Sequence, residues 1–276
     1  MSHPRKITEG LLLALDVEST GLDTQTDSII ELGGAYMCGG ALVGDTLRSR
    51  VNPGRYIPAD ATRVHGISNE DVERCPPWRE VSEWLRRHVE RPEGPLVCGY
   101  NILSYDAHII NSENERAGLE WRLNHRRLLD PYIFSRWHHP EHQSSLGAMC
   151  KLYGLHLPED RAHSADADSA VTAMLAVAMV WAGYIPDDVE EALATQERLK
   201  TRMEEEAQRY GSNIYIDRAD PSRLMIARGP YRGKCIFELS ASYIQTVINN
   251  WKPGDITDEA RALIKDRVQT QDELGL

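Results

Sequence analysis

Leu11-Leu12-Leu13-Ala14-Leu15-Asp16-Val17-Glu18-Ser19-Thr20-Gly21-Leu22 decides how the rest of the chain is read. A compact apolar run with an acid at its end is the pattern of a buried strand in the middle of a sheet. Side chains alternate along a strand, so Asp16 and Glu18 share one face at its C-terminal end. Two carboxylates placed there repel one another unless cations neutralise them. Asp-x-Glu is not rare in this chain; it occurs at 16/18, 71/73 and 188/190. Only the first ends an apolar run. A solvated strand end leading into the Ser19-Thr20-Gly21 turn is the bland reading of the same pair.

Beyond that strand, SIIELGGAYM (28–37) and ALVGDTLRSRV (41–51) flank Cys38-Gly39-Gly40, which predicts a hairpin. Asn52-Pro53-Gly54 marks a turn and Ile57-Pro58 an extended loop. Ser68 suits a helix N-cap, with Asp71 where a capping box carries Glu or Gln. A helix over Trp78 to Val89 is followed by PLVCGYN (95–101), a second buried-strand candidate. A helix should run from about Tyr105 to Ala117, with Gly118 behind it as a C-cap residue. RRLLDP (126–131) reads as a short strand; helices are expected over Pro131 to Trp137, Ser145 to Tyr153 and Asp166 to Trp181. Early strands followed by strand–helix alternation define an α/β fold: a mixed sheet flanked by helices, with an antiparallel hairpin at one side.

The compact part is expected to span 1–184. Residues 185–210 carry many charges and a thin apolar stripe (Leu193, Leu199, Met203), and read as an exposed helical linker. Residues 211–276 form a small α+β appendage, with strands at NIYID and RLMIA, a tight turn at Gly229 to Lys234, a helix over Ala241 to Trp251, and a polar tail that frays.

The 276 residues carry a formal charge of −11, with 41% apolar and 26% charged residues, as in an ordinary globular protein. A protein that grips long duplex DNA presents a basic surface, so the acidity argues against a large electrostatic footprint. It leaves room for a strand end held by few side chains and by cations. The five cysteines (38, 75, 98, 150 and 235) form no C-x-x-C pair, which argues against zinc and for a reducing, cytoplasmic setting. The polar opening MSHPRKITEG does not read as a signal peptide, and the apolar helix ending at Trp181 is too short for a bilayer, so no membrane is expected.

Two further sites complete the acidic set. Asp106 opens the helix after PLVCGYN, where it also serves as a favourable helix-start acid. His163 precedes a helix whose first turn holds Asp168. That pairing lets a loop histidine reach over a fixed ligand, while Ser164, Asp166 and Asp168 all suit N-terminal capping. Four carboxylates and one histidine together suffice to hold two divalent cations and activate a water against a phosphodiester.

In this order the residues resemble the DnaQ-like DEDDh 3′→5′ exonucleases. Asp16-x-Glu18-Ser-Thr-Gly matches the family's first motif, Asn101-x4-Asp106 the second and His163-x4-Asp168 the third. Asn52-Pro53, Ile57-Pro58, Val64-His65-Gly66-Ile67, Leu129-Asp130 and Ser145-Leu146 agree with the segments between them. The likeness covers about residues 10 to 182. Two positions depart from the family pattern: Ser19, where Thr is commoner, and Tyr105, where Phe is frequent. The resemblance implies a ribonuclease H-like fold and a two-metal mechanism. Asp16 would bridge both cations, Mg²⁺ or Mn²⁺; Glu18 and Asp168 would hold one, Asp106 the other, and His163 would be the general base. It also implies substrate contacts from Thr20, Gly21 and Leu22, with Leu22 as an apolar wedge against the terminal base, and from His65 and Asn101. The expected partner is the 3′ end of a nucleic acid, DNA ahead of RNA, with 5′-mononucleotides released. The C-terminal region, whose Gly229-Pro-Tyr-Arg-Gly-Lys234 faintly resembles a small module accompanying some exonucleases, is a candidate surface for guiding a strand, for a homodimer or for a protein partner. An oligoribonuclease-like enzyme on short RNA and a non-catalytic binding module on the same fold are the rival readings.

Overall fold

The structure is a computed structural model that describes residues 6–90, 94–156 and 164–274. The chain divides into two compact units: Met1–Phe134 with Ser145–Gln196, and Ser135–Ser144 with Glu197–Leu276.

The first unit is built on a six-stranded mixed sheet. Strand β1 (Leu11–Ser19) lies between β2 (Ile29–Cys38), which is antiparallel to it, and β5 (Leu96–Cys98), which is parallel. Outside them lie the short β3 (Ala41–Leu42) and β4 (Leu47–Arg50), both paired to β2, and β6 (Leu128–Leu129), parallel to β5. Leu12, Leu13, Ala14 and Leu15 are all at most 1% exposed, so both faces of β1 are covered and an uninterrupted apolar run suits it.

The parallel step from β1 to β5 needs a long crossover. It is made through β2 to β4 and three helices: α1 (Ala59–His65), α2 (Asn69–Val72) and α3 (Trp78–Val89). Ser68 closes a complete capping box with Asp71, the shorter acid doing the work of the usual Glu. The segment after Ile57-Pro58, expected as an extended loop, holds one surprise. Pro58 is extended (φ −61°, ψ 145°), but α1 starts directly behind it and stops at Gly66, whose φ is +74°. Helix α1 buries no side chain, so no apolar periodicity announces it.

Four more helices follow in the chain: α4 (Asp106–Arg116), α5 (Pro131–His138), α6 (Leu146–Leu152) and α7 (Ala165–Trp181). Helix α7 lies across β1 and β2. It is apolar almost all round, as a buried helix should be, with Val171, Ala173, Leu175, Ala176 and Met179 at most 4% exposed. Helix α8 (Val189–Tyr210) begins in this unit, burying Ala192, Leu193 and Gln196. The division between units falls within it, after Gln196.

The second unit pairs β7 (Ile214–Ile216) with β8 (Leu224–Ile226) and carries α9 (Ala241–Asn250) and α10 (Asp258–Leu274). Its core gathers Ile214, Leu224, Ile226, Ile236, Ile244 and Ile264. The C-terminal tail was expected to fray; instead it forms α10. The reason is an i, i+4, i+8 stripe of Ala260, Ile264 and Val268 against that core, with the Thr257 hydroxyl accepting the Ala260 amide at 3.1 Å. Three small apolar side chains among many polar ones make a weak signal in the sequence. No helix among the described residues is long and apolar enough to cross a membrane.

One residue governs how closely α7 meets the sheet. A Cβ on Gly33 would lie 2.0 Å from the carbonyl carbon of Ala165 and 2.3 Å from the Asp166 amide nitrogen, both backbone atoms that cannot swing away. Its neighbour Gly34 is less confined, the nearest atoms standing at 3.4 Å. Gly33→Ala should therefore cost about 3 kcal/mol of unfolding free energy, and Gly34→Ala should stay within about 1 kcal/mol of wild type. Urea denaturation of both variants measures the contrast; equal stabilities would contradict the close approach.

Candidate active site

Asp16 and Glu18 stand where the expected strand end places them. The β1–β5 ladder ends at Ala14 paired with Cys98, so both acids project beyond the last parallel pairing. Asp16 lies opposite Gly33 of β2 and Glu18 opposite Glu31. Past Cys98 the strand β5 no longer covers this edge of β1. The amide of Val17, between the two acids, donates instead to Oδ1 of Asp106 at 3.1 Å. A carboxylate from α4 thus continues the hydrogen bonding that the strand has given up.

The turn that delivers Asp106 is built around a buried acid. Asn101 takes a left-handed backbone, φ +68°, which Asn tolerates better than most residues. Its amide and that of Leu103 donate to the two carboxylate oxygens of Asp130, at 2.8 and 3.2 Å, and Tyr132 adds a third amide at 3.1 Å. Asp130 is 1% exposed. Its own amide donates to Oε1 of Gln196 at 2.7 Å, while Nε2 of Gln196 donates to the Leu128 carbonyl. The start of α8 therefore locks the loop that carries the second motif.

The third motif arrives on α7, whose first turn holds Asp168. Gly33 lets that turn rest on the sheet. Fully buried Glu31 accepts the Ala165 amide at 3.3 Å and the Arg48 guanidinium at 2.8 Å. Thr46 donates to Oδ2 of Asp166 at 2.8 Å. The outcome is a cluster: one carboxylate oxygen each from Asp16, Glu18 and Asp168 all lie within 4.8 Å of one another. Asp106 adjoins it through Val17. His163 lies outside the described residues.

The remaining candidates differ in what they present. Thr20 is 3% exposed, and its hydroxyl is engaged in the loop, donating to Asp27 at 2.8 Å and accepting the Ser28 amide. Gly21 packs against the same carboxylate, whose oxygen would sit 2.4 Å from a Cβ there. Leu22 is 89% exposed. His65 is partly buried, and its Nδ1 accepts the Ile67 amide at 3.0 Å. Burial holds its pKa below the ordinary histidine value. Glu31, Gly33 and Gln196 escaped sequence reasoning. Glu31 left one usable signal: a lone carboxylate inside the apolar run Ile29-Ile30-Glu31-Leu32 needs a buried partner.

The electrostatics are those of acids crowded out of water. Burial, then the charges of Asp106, Glu18, Asp168 and Glu31, pushes Asp16 well above the carboxylate range. Glu18 rises to about 8 from burial and its neighbours Asp168, Glu31 and Asp106. Asp106 rises to about 7, burial outweighing the stabilising amide of Val17. The donors are all hard oxygens and their mutual repulsion calls for positive charge, so the cluster fits a hard divalent cation.

The profile of an exonuclease family, RNase_T, matches residues 13–176, more than half of the chain. A DNA polymerase III subunit epsilon of Rickettsia felis is 28% identical over 165 residues, covering 58% of this chain and 70% of that protein. A PolC-type DNA polymerase III of Ureaplasma parvum is 29% identical over 158 residues, 57% of this chain but only 11% of that polymerase. Among solved structures, exonuclease X in complex with 5′ overhanging duplex DNA superposes with a TM-score of 0.51 at 19% identity, covering 67% of this chain and 99% of the other. The nuclease domain of 3′hExo, a DEDDh family member bound to rAMP, gives 0.54 at 16% identity, covering 69% and 97%. Both share the ribonuclease H-like fold. The chain belongs to this RNase_T family of exonucleases.

The raised pKa values fix the sign of a stability test. Each such carboxyl keeps its proton in the folded state where the unfolded chain has lost it. Its contribution is complete below the unfolded value near 4 and vanishes as pH climbs through the folded value, about 8 for Glu18. In EDTA the Tm should fall from roughly pH 5 to 8, Glu18→Gln should remove part of that fall, and saturating Mn²⁺ should flatten it. A Tm in EDTA that rises over this range would exclude the arrangement.

Proposed function

We propose that the chain removes nucleotides from the 3′ ends of nucleic acid, with single-stranded DNA favoured, and releases 5′-mononucleotides. The observation that supports this most is the convergence of Asp16, Glu18 and Asp168 from two distant segments, beside Asp106 from a third. Solvated strand ends and helix caps have no reason to meet in one cluster.

In this reading Asp16, Glu18 and Asp168 would hold one divalent cation, and Asp16 with Asp106 would hold a second. The cations would supply Lewis-acid stabilisation of the charge building on the phosphodiester and lower the pKa of the attacking water. The protein's part is positioning. Asp130 and Gln196 fix the Asp106 loop, and Glu31 and Gly33 fix the start of α7. His163 would act as general base, its imidazole titrating near neutral pH. Leu22, with Thr20 and Gly21 shaping its turn and His65 and Asn101 near the site, would meet the terminal nucleotide.

DNA is favoured because exonuclease X was solved on DNA and the relatives are named as a DNA polymerase III subunit epsilon and a PolC-type DNA polymerase III. Short RNA is the second reading. The net charge of −11 suits a substrate needing little electrostatic grip, and 3′hExo was solved with rAMP.

A 5′-labelled oligonucleotide with Mg²⁺ or Mn²⁺ tests the proposal. Stepwise shortening from the 3′ end is expected, abolished by EDTA and reduced at least ~100-fold by Asp16→Ala. His163→Ala should lose roughly 100- to 10,000-fold in kcat while calorimetry still detects Mn²⁺ binding. Matched DNA, RNA and dinucleotide substrates separate the two readings. An oligonucleotide that stays full length under both cations defeats them.

A further inference from the structure

The two places where the sequence departs from its family's pattern touch one another. Tyr105 is half-buried at the start of α4, directly before Asp106, and Ser19 ends β1, directly after Glu18. Their hydroxyl oxygens stand 2.5 Å apart. Both reach the carbonyl of Gly21, Tyr105 at 2.6 Å and Ser19 at 2.7 Å. A Phe at 105 would fill the same space and make neither contact.

What they hold is a turn tied at its other end as well. Both Thr20 and the Asp23 amide donate to the carboxylate of Asp27. Arg116 of α4 donates to the carbonyls of Gln25 and Asp27, the latter at 2.6 Å. Gly21 has no room for a side chain beside Asp27. From this fixed frame Leu22 projects 89% exposed. On the exonuclease reading, this side chain, four residues from a candidate metal ligand and on a turn held at both ends, is the one that meets the terminal base.

We infer that Tyr105 is a positioning residue: through Gly21 it sets the distance between the carboxylate cluster and Leu22, and so the place of the terminal base relative to the bond to be cut. This rests on the exonuclease reading above. The ring next to Asp106 and the hydroxyl on Gly21 make one side chain span both parts, so a shift in either is felt by the other.

The test uses the full chain and two oligonucleotides differing only at the 3′ end, one with a terminal base and one with an abasic terminal sugar. Wild type should favour the first. Tyr105→Phe keeps the ring and should cut that preference, read as the ratio of kcat/KM values, by about 3- to 10-fold, mainly through KM. The abasic substrate should be cut at close to the wild-type rate. Leu22→Ala should lower the ratio too, and adding Tyr105→Phe to it should change little, because Tyr105 acts through Leu22. Hydrogen exchange gives a readout independent of activity: a peptide covering residues 20–24 should exchange faster in Tyr105→Phe, and a peptide from α7 should not. Equal losses on both substrates, an unchanged ratio, or additive effects of the two substitutions would overturn the inference. A wild-type chain that cuts neither oligonucleotide would instead overturn the exonuclease reading, before any variant is compared.

Discussion

Helix α7 begins where β2 carries Gly33, and the missing side chain lets the backbone of Ala165 and Asp166 come down onto the sheet. The register makes that contact consequential. Gly33 is the partner of Asp16 across the β1–β2 ladder, so the point of closest approach is also the point beside the first acid. Asp168 then meets Asp16 and Glu18. Any side chain at residue 33 would lift the helix start from the sheet, and the third acid would leave with it.

Such a cluster works against the fold that makes it. Burial and then the charges of neighbouring acids hold Asp16 and Glu18 above the carboxylate range, and burial does the same for Asp106, so without cations the protein must either bind protons or tolerate repulsion. Other buried acids nearby are met by donors instead, although burial still lifts Asp130 to about 6. Glu31 is held by Arg48 and the Ala165 amide, and Asp130 by three amides. The contrast separates acids that build the site from acids left for a cation: the former are saturated with hydrogen bonds, and the latter point at one another. Strain of this kind is expected where stability has been traded for function.

How much of this was legible depended on whether the signal was local. The strand β1 showed in its apolar run, and the Gly39-Gly40 hairpin and Gly118 behind α4 showed in turn chemistry. Asp16, Glu18 and Asp168 were legible from their order along the chain, though each alone reads equally well as a strand end or cap. Helix α1 was missed because it buries nothing, and α10 because its stripe is only Ala260, Ile264 and Val268. The supports were harder still. Gln196 looks like one polar residue among many in a charged helix, yet its amide binds both Leu128 and Asp130. Nothing within ten residues of it in sequence says so. Gly33 and Gly34 read alike in the sequence, and only the crossing of α7 tells them apart.

Charge is divided unevenly along the chain, and this bears on how a strand end would be chosen. The second unit has fourteen basic and fourteen acidic residues, whereas the first, which holds the carboxylate cluster, has 17 basic and 28 acidic. Long-range attraction cannot draw a polyanion to such a unit, since the average field around it repels phosphates. Recognition on the proposed reading must then come from contacts of short range: cations at the acids and apolar contact at the last base. Short-range contacts discriminate only when their spacing is fixed, because a mobile wedge would accept a base in many positions and align the scissile bond in few. The tied turn under Leu22, joined through Tyr105 to the helix that carries Asp106, supplies that fixed spacing at the cost of two hydroxyl groups.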